Sequence, residues 1–293
     1  MKKLGFIGGG NMAEALMRGL VEGRVFAPVD LIASDVDAAR RQQVKRKLKI
    51  ETTADNLEVI HSARAILVAV KPQNIDEVLR EIATVFAPPA VKAAAPDGKP
   101  PRSRPPRPLT CRDRLFISIA AGITLGRFTS AFGAGARVVR VMPNAPAMVG
   151  QGMAALVRAP GASKADEAFA LRLFRAVGDA VALDDEALLD AVTALSGSGP
   201  AYVYLFVKAL ADAGVAEGLP PALAVRMALK TIRGAEENMR QSPLTAAELI
   251  RIVASPGGTT EAALRNFAES GFSDIVSRAL HAAAERSREL GRN

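Results

Sequence analysis

Two short stretches of this chain combine residue types and spacings that could do chemistry. Gly8-Gly9-Gly10-Asn11-Met12-Ala13 fits G-x-G-x-x-A between an apolar run and an amphipathic one. Gly8 allows a tight strand-to-helix turn, Gly10 lets the backbone approach a pyrophosphate, and Ala13 permits close helix–sheet packing. The helix N-terminus that follows would offer unpaired N–H groups and a positive dipole end to phosphates. The second stretch, Ser255-Pro256-Gly257-Gly258-Thr259-Thr260, opens a helix with glycines and hydroxyls. Such a loop makes an anion nest suited to a carboxylate, with the hydroxyls as neutral donors or acceptors. Ser196-Gly197-Ser198-Gly199-Pro200 also lies between helical patterns and reads as a flexible N-cap. Dinucleotide binding plus capture of a small anion is the chemistry of a nicotinamide-dependent oxidoreductase.

Other residues fall where such a cofactor would need them. Ala33-Ser34-Asp35 ends the second strand pattern. There Asp35 would either accept hydrogen bonds from an adenosine ribose, favouring NAD, or cap the next helix. Ser34 could instead bond a 2′-phosphate, with Arg40 and Arg41 on the following helix, so the choice of NADPH or NADH stays open. Ala69-Val70-Lys71-Pro72 follows a buried strand on the sheet's carboxyl edge, where such folds bind ligands. Ser118-Ile119-Ala120-Ala121-Gly122 ends another strand with small residues that leave room for a nicotinamide ring.

The elements that would position these residues alternate in type. Strand patterns at Lys3–Ile7, Val29–Ala33, Ala65–Val70, Leu115–Ala120 and Arg137–Val141 are interleaved with helical ones at Asn11–Glu22, Asp37–Leu48 and Ile75–Phe86. That alternation predicts an α/β fold, a Rossmann-type doubly wound and mostly parallel sheet covered on both faces. Met153–Val157 and Ala180–Leu183 read as two edge strands. From Glu186 onward the pattern is helical, with alanine-rich stripes too wide to bury in a small domain, as in a bundle that shares its core with another subunit. The expected division is a dinucleotide-binding domain at 1–185 and an all-helical dimerisation and substrate domain at 186–293.

Composition excludes several functions. The net charge of +8 over 293 residues could point to nucleic acid. However, seven Lys/Arg against two Asp between Pro88 and Arg114 account for +5 of it, and the chain has no Trp for stacking on bases. That segment also holds eight of the eighteen prolines, so it reads as an insertion that buries no core. One cysteine, Cys111, and two distant histidines, His61 and His281, make a metal site improbable. No apolar run reaches the roughly 20 residues of a membrane helix, and the start lacks a signal-peptide pattern, so a cytoplasmic protein is expected.

Nearly the whole chain resembles the pyrroline-5-carboxylate reductase family. The resemblance lies in Gly5–Met12, Ala69–Pro72, Ser118–Gly122, Met142-Pro143-Asn144-Ala145-Pro146, Asp190–Tyr202 and Ser255–Thr260. It implies hydride transfer from NADPH or NADH to the C=N carbon of 1-pyrroline-5-carboxylate, giving L-proline in the last step of proline biosynthesis. By position it implies cofactor contacts from Ile7, Gly8, Gly9, Gly10, Asn11, Met12, Ser34, Asn56, Ala69, Val70, Lys71, Pro72, Ile119, Ala120 and Ala121. Ser255, Gly258, Thr259 and Thr260 would bind substrate, with the carboxylate on the loop N–H groups and the ring nitrogen on the Thr260 hydroxyl; Glu186 matches a substrate-site acid. Members are dimers with intertwined helical domains, often assembled into decamers, so each site would draw on two chains. Such chemistry needs a protonated imine, a carboxylate anchor and a hydride at close range, and no metal.

Three features depart from the family pattern: the Pro/Arg-rich insertion, Ile252 where a polar residue near the cofactor is common, and Asp35 in place of a serine or basic residue. The rivals are a β-hydroxyacid dehydrogenase and a cofactor-sensing nucleic-acid-binding regulator. The first relies on a helical catalytic lysine, and neither Lys208 nor Lys230 stands in such a motif. The second would have to use the basic segment.

Overall fold

The computed structural model describes residues 1–86 and 109–292. Most of the Pro/Arg-rich segment expected at 88–114 lies outside the described residues. The chain divides into two compact units, one of Met1–Gly197 with Arg286–Asn293 and one of Ser198–Glu285.

The first unit is an α/β sandwich. Its strands are β1 (Lys2–Ile7), β2 (Leu31–Ser34), β3 (Glu51–Thr53), β4 (Ala63–Val68), β5 (Leu115–Ser118), β6 (Arg137–Pro143), β7 (Gly152–Arg158) and β8 (Gly178–Ala182). The helices between and after them are α1 (Asn11–Glu22), α2 (Ala38–Leu48), α3 (Asn56–Ser62), α4 (Ile75–Phe86), α5 (Leu125–Phe132), α6 (Lys164–Arg175) and α7 (Leu188–Val192). Among the described residues the strands form one eight-stranded sheet in the order β3-β2-β1-β4-β5-β6-β7-β8. Every neighbouring pair is parallel except β6 with β7.

Alternation along the strands builds a core on each face. Leu4, Phe6, Leu67 and Ile117 face one way and pack with Leu16, Met17 and Leu20 of α1 and Leu173 and Phe174 of α6. Ile66, Val68 and Phe116 face the other way, against Val59 of α3, Ile75 and Leu79 of α4, and Phe128 and Phe132 of α5. Ser163 caps α6 by accepting from Asp166 N, while Asp166 accepts from the Ser163 N–H and hydroxyl. The same carboxylate pairs with Arg137 of β6 at 2.5 Å, tying helix to sheet.

The structure corrects one expected strand position. β7 is interior, between β6 and β8, and of the two strands read as edges only β8 ends the sheet. The unbroken buried run Ala154–Val157 is the physical reason, because a strand covered on both faces carries apolar residues on both. The strand β3 and the helices α3, α5 and α6 had no counterpart in the sequence reading.

The second unit is helical: α8 (Gly199–Ala216), α9 (Pro221–Gln241), α10 (Ala246–Val253), α11 (Thr259–Glu269) and most of α12 (Phe272–Arg292). Its buried apolar cluster is three alanines, Ala211, Ala224 and Ala228, with Val207 and Leu219 against them. Large apolar side chains are left bare, among them Leu205 (68 % exposed), Leu229, Ile275 and Val276. The last turn of α12 belongs to the first unit: Ser287 Oγ donates to Asp190 Oδ1 at 2.6 Å, and Leu290 lies against Gly122. Among the described residues no helix is long and apolar enough to cross a membrane.

Candidate active site

The parallel strands bring the expected cofactor residues of the first unit to one edge. Hydrogen bonds continue past the strand ends: Gly8 N to Ser34 O, Ala69 N to Ile7 O, and Ile119 N to Val68 O, at 2.8–3.1 Å. Ile7, Gly8–Met12, Ser34 and Asp35, Ala69–Pro72 and Ile119–Ala121 therefore line up at the carboxyl ends of β1, β2, β4 and β5. This is the edge at which doubly wound sheets hold ligands.

The glycine turn has the form its sequence implies. Gly8 sits at φ +96°, and a Cβ there would lie 2.7 Å from the Ala69 carbonyl oxygen, so only glycine fits. A Cβ on Gly10, in contrast, would meet nothing within 4 Å, so open space lies above this residue. Gly10 caps α1 without a side-chain hydrogen bond, which leaves first-turn N–H groups of α1 for an anion. This cradle suits a pyrophosphate.

The end of β2, where an adenosine is expected, is more committed. Ser34 is fully buried, and its hydroxyl donates to Asn56 Oδ1 at 2.6 Å, while Asn56 Nδ2 donates to Glu81 Oε2. Asp35 Oδ2 accepts from Gly9 N at 2.7 Å and Oδ1 from Asp37 N at 2.9 Å. Asp35 is therefore not the cap of α2: Asp37 is, accepting from Ala39 N. Arg41 donates to the carbonyls of Asp35 and Val36. Arg40 is not a solvated outer-face arginine, because its Nε donates to the Gly9 carbonyl and its side chain is only 16 % exposed.

Glu186 stands just before α7 and is tied into the first unit. Its Oε1 accepts from Arg140 Nη1 at 2.7 Å and from Leu125 N, at the start of α5, at 2.8 Å. Asn144 Nδ2 donates to Ser196, whose segment Thr193–Gly197 is a π-helical turn rather than a flexible cap. Arg140, the Asn144–Ser196 link and Glu14 were not singled out in the sequence. Each is defined by a partner more than 25 residues away, which no local pattern announces.

In the second unit, Ser255–Thr260 joins α10 to α11 as an anion nest. Gly257 adopts φ +72°, Gly258 N donates to Ser255 O, and Gly258 caps α11 with no side-chain bond. Gly257 N donates to the carboxylate of Glu261 at 2.6 Å, so the nest already engages a carboxylate of the chain itself. Thr260 follows in the first turn of α11, and Ile252 on α10 is exposed. Among the described residues no group of His, Cys, Asp and Glu could hold a metal ion.

Known proteins match the chain across both units. The family described as pyrroline-5-carboxylate reductase dimerisation matches residues 186–290, and that described as coenzyme F420-dependent NADP oxidoreductase matches residues 3–91. A pyrroline-5-carboxylate reductase of Synechocystis is 38 % identical over 99 % of this chain and 98 % of its own length. One from Pseudomonas aeruginosa is 39 % identical over 98 % and 96 %. The solved pyrroline-5-carboxylate reductase of Coxiella burnetii has 29 % identity and a TM-score of 0.85, covering 100 % of this chain and 99 % of that one. That of Plasmodium falciparum, solved with NADP bound, gives 29 % and 0.82 over 99 % and 98 %. With full-length relatives at this identity, a glycine cradle on the carboxyl edge and an anion nest before α11, the chain belongs to the pyrroline-5-carboxylate reductase family.

Proposed function

We propose that this chain reduces 1-pyrroline-5-carboxylate to L-proline with NADPH or NADH, the closing step of proline biosynthesis. The observation that carries this reading is the open cradle over Gly10 at an uncapped helix start, in a chain similar to pyrroline-5-carboxylate reductases along its whole length. Bound NAD(P)H supplies the hydride to the C=N carbon.

The chain's own residues bind and orient. The first-turn N–H groups of α1 hold the pyrophosphate, Ala69–Pro72 shape the cofactor's flank, and Ile119–Ala121 leave room for the nicotinamide. The N–H groups of Thr259 and Thr260 at the start of α11 and the Ser255 hydroxyl receive the substrate carboxylate, Gly258 N being held by Ser255 O and shaping the turn. The Thr260 hydroxyl addresses the ring nitrogen, which must carry a proton for the carbon to accept hydride. Glu186 matches the family's substrate-site acid, and within the sheet unit its Oε1 is held by Arg140 and Leu125 N, which fixes the carboxylate for that role. Proximity supplies much of the rate in such a site.

The helical part from Glu186 onward serves dimerisation, and we read the assembly as a homodimer able to build decamers, in the cytoplasm and without nucleic-acid partners. Oxidation of NADPH or NADH that depends on 1-pyrroline-5-carboxylate, with proline as product, tests the activity. No proline from either cofactor sinks it. Light scattering tests the assembly.

A further inference from the structure

Arg40, Gln43 and Lys47 recur along α2 at spacings that set them on one helix face, and all three converge on one carboxylate of α1. Glu14 Oε1 accepts from Lys47 Nζ at 3.0 Å, and Oε2 accepts from Gln43 Nε2 at 3.0 Å. Arg40 Nη2 lies 2.7 Å from the same Oε2 but off the line of a directed hydrogen bond, so this buried nitrogen keeps N–H capacity unused. Arg40 Nε meanwhile donates to the Gly9 carbonyl, and the Gly9 N–H is taken by Asp35. The guanidinium thus spans the cofactor turn and Glu14. Burial works against the charge on Glu14, but Lys47, Arg40 and Arg18 outweigh it and hold the carboxyl below its ordinary value.

We propose that Glu14 is a positioning residue for cofactor choice: by pairing with Arg40 and Lys47 it withholds their charge from a ribose 2′-phosphate and keeps NADH competitive with NADPH. The other candidates on this connection are engaged elsewhere, Ser34 by Asn56 and Arg41 by the carbonyls of Asp35 and Val36. Arg40, with its unused N–H, is the group left to answer the phosphate. Asp35, beside the same glycine, adds negative charge that a ribose tolerates and a 2′-phosphate does not. This inference rests on reading the sheet edge as a NAD(P)H site.

The test is calorimetric titration of NADPH and NADH into the full-length protein, alongside kcat and KM, for wild type, Glu14→Gln, Arg40→Gln and the double variant. Glu14→Gln should tighten NADPH relative to NADH by about three- to tenfold, the range for partly screened charges. The change should appear in the cofactor KM and not in kcat. Arg40→Gln should weaken NADPH relative to NADH, and in that background Glu14→Gln should shift the ratio clearly less, with Lys47 alone left to release, the coupling expected of residues in contact. A ratio unmoved by Glu14→Gln overturns the proposal, as does the same shift persisting without Arg40. If Glu14→Gln does not fold, Arg40→Gln alone decides, an unchanged ratio overturning the proposal. Failure of wild type to bind either dinucleotide removes the underlying site reading and the proposal with it.

Discussion

The two units of this chain are stabilised in different ways. The sheet unit closes two apolar clusters of its own, with Phe6, Phe116, Phe128 and Phe174 fully buried. The helical unit has long helices of ordinary propensity, yet its buried cluster is three alanines and many of its large apolar side chains, such as Leu205, Leu229, Ile250 and Val276, are exposed. Exposed apolar area of that extent marks an interface. The sheet unit is thus a fold in itself, while the helical unit, which lies within the match to the dimerisation family, leaves its apolar face uncovered within one chain.

The largest effect should come from charge on the bare helical face. Leu205→Glu together with Leu229→Glu should give a monomer with activity down about a hundredfold or more, because buried unpaired carboxylates oppose assembly. Light scattering and the reductase assay check this. Val29→Glu, at a residue 72 % exposed at the opposite end of β2, should change neither. A dimer that survives the paired substitution breaks the comparison.

Cavities sharpen it. Phe116→Ala empties the aromatic cluster with Phe86 and Phe132 and should cost about 3–5 kcal/mol. Phe267→Ala, in a side chain 41 % exposed within one chain, should approach that cost only at concentrations where chains pair. Thermal melts across a dilution series measure both; a Phe267→Ala penalty independent of concentration would show that no partner covers the site.

Thr260→Ala should lower kcat/KM by about ten- to a hundredfold, equivalent to ~1.5–3 kcal/mol for one hydrogen bond to a charged group. Dinucleotide affinity should be unchanged, since that site belongs to the sheet unit. Wild-type turnover would remove Thr260 from its role.

The smallest effect concerns acid. Burial raises the Asp166 carboxyl, but the hydrogen bonds from Arg137 and from Ser163 outweigh it and leave the group below its ordinary value of 3.8. A group depressed in the fold contributes stability that is present above its unfolded value and lost as pH falls through the folded one. Wild type should therefore lose stability as pH drops through and below the ordinary carboxylate range. Asp166→Asn should be less stable at neutral pH and lose less than wild type across that window, Glu14 and the other paired carboxylates keeping part of the slope. Parallel acid titrations of the two proteins give the answer.

The parts legible in the sequence were those set by short-range chemistry. Gly8–Ala13 announces its turn because only glycine tolerates the Gly8 conformation and the Ala69 approach. The buried runs of β1, β4 and β5 announce a parallel sheet. By contrast, β3 is the three polar residues Glu51–Thr53, too short to show a period. The capping box Ser163–Asp166 is a local start signal for α6. Sequence alone left Asp35 between ribose ligand and helix cap, and its bond from Gly9 N, with Asp37 capping α2, removes the second reading. The convergence of α2 on Glu14 has no local signature at all.

The closing turn of α12 has a consequence for how this chain is made. Ser287 reaches Asp190 across 97 residues of sequence, and Leu290 seats against Gly122, beside the loop that carries Ile119–Ala121. During synthesis, most of the sheet can form early, but this corner waits until residues near 290 leave the ribosome. Long-range closure slows folding more than it weakens the finished protein. A nascent chain therefore spends its last stretch of translation with the Gly122 corner uncovered, and a ribosome that stops short of residue 286 releases a sheet whose Ile119–Ala121 loop lacks its wedge.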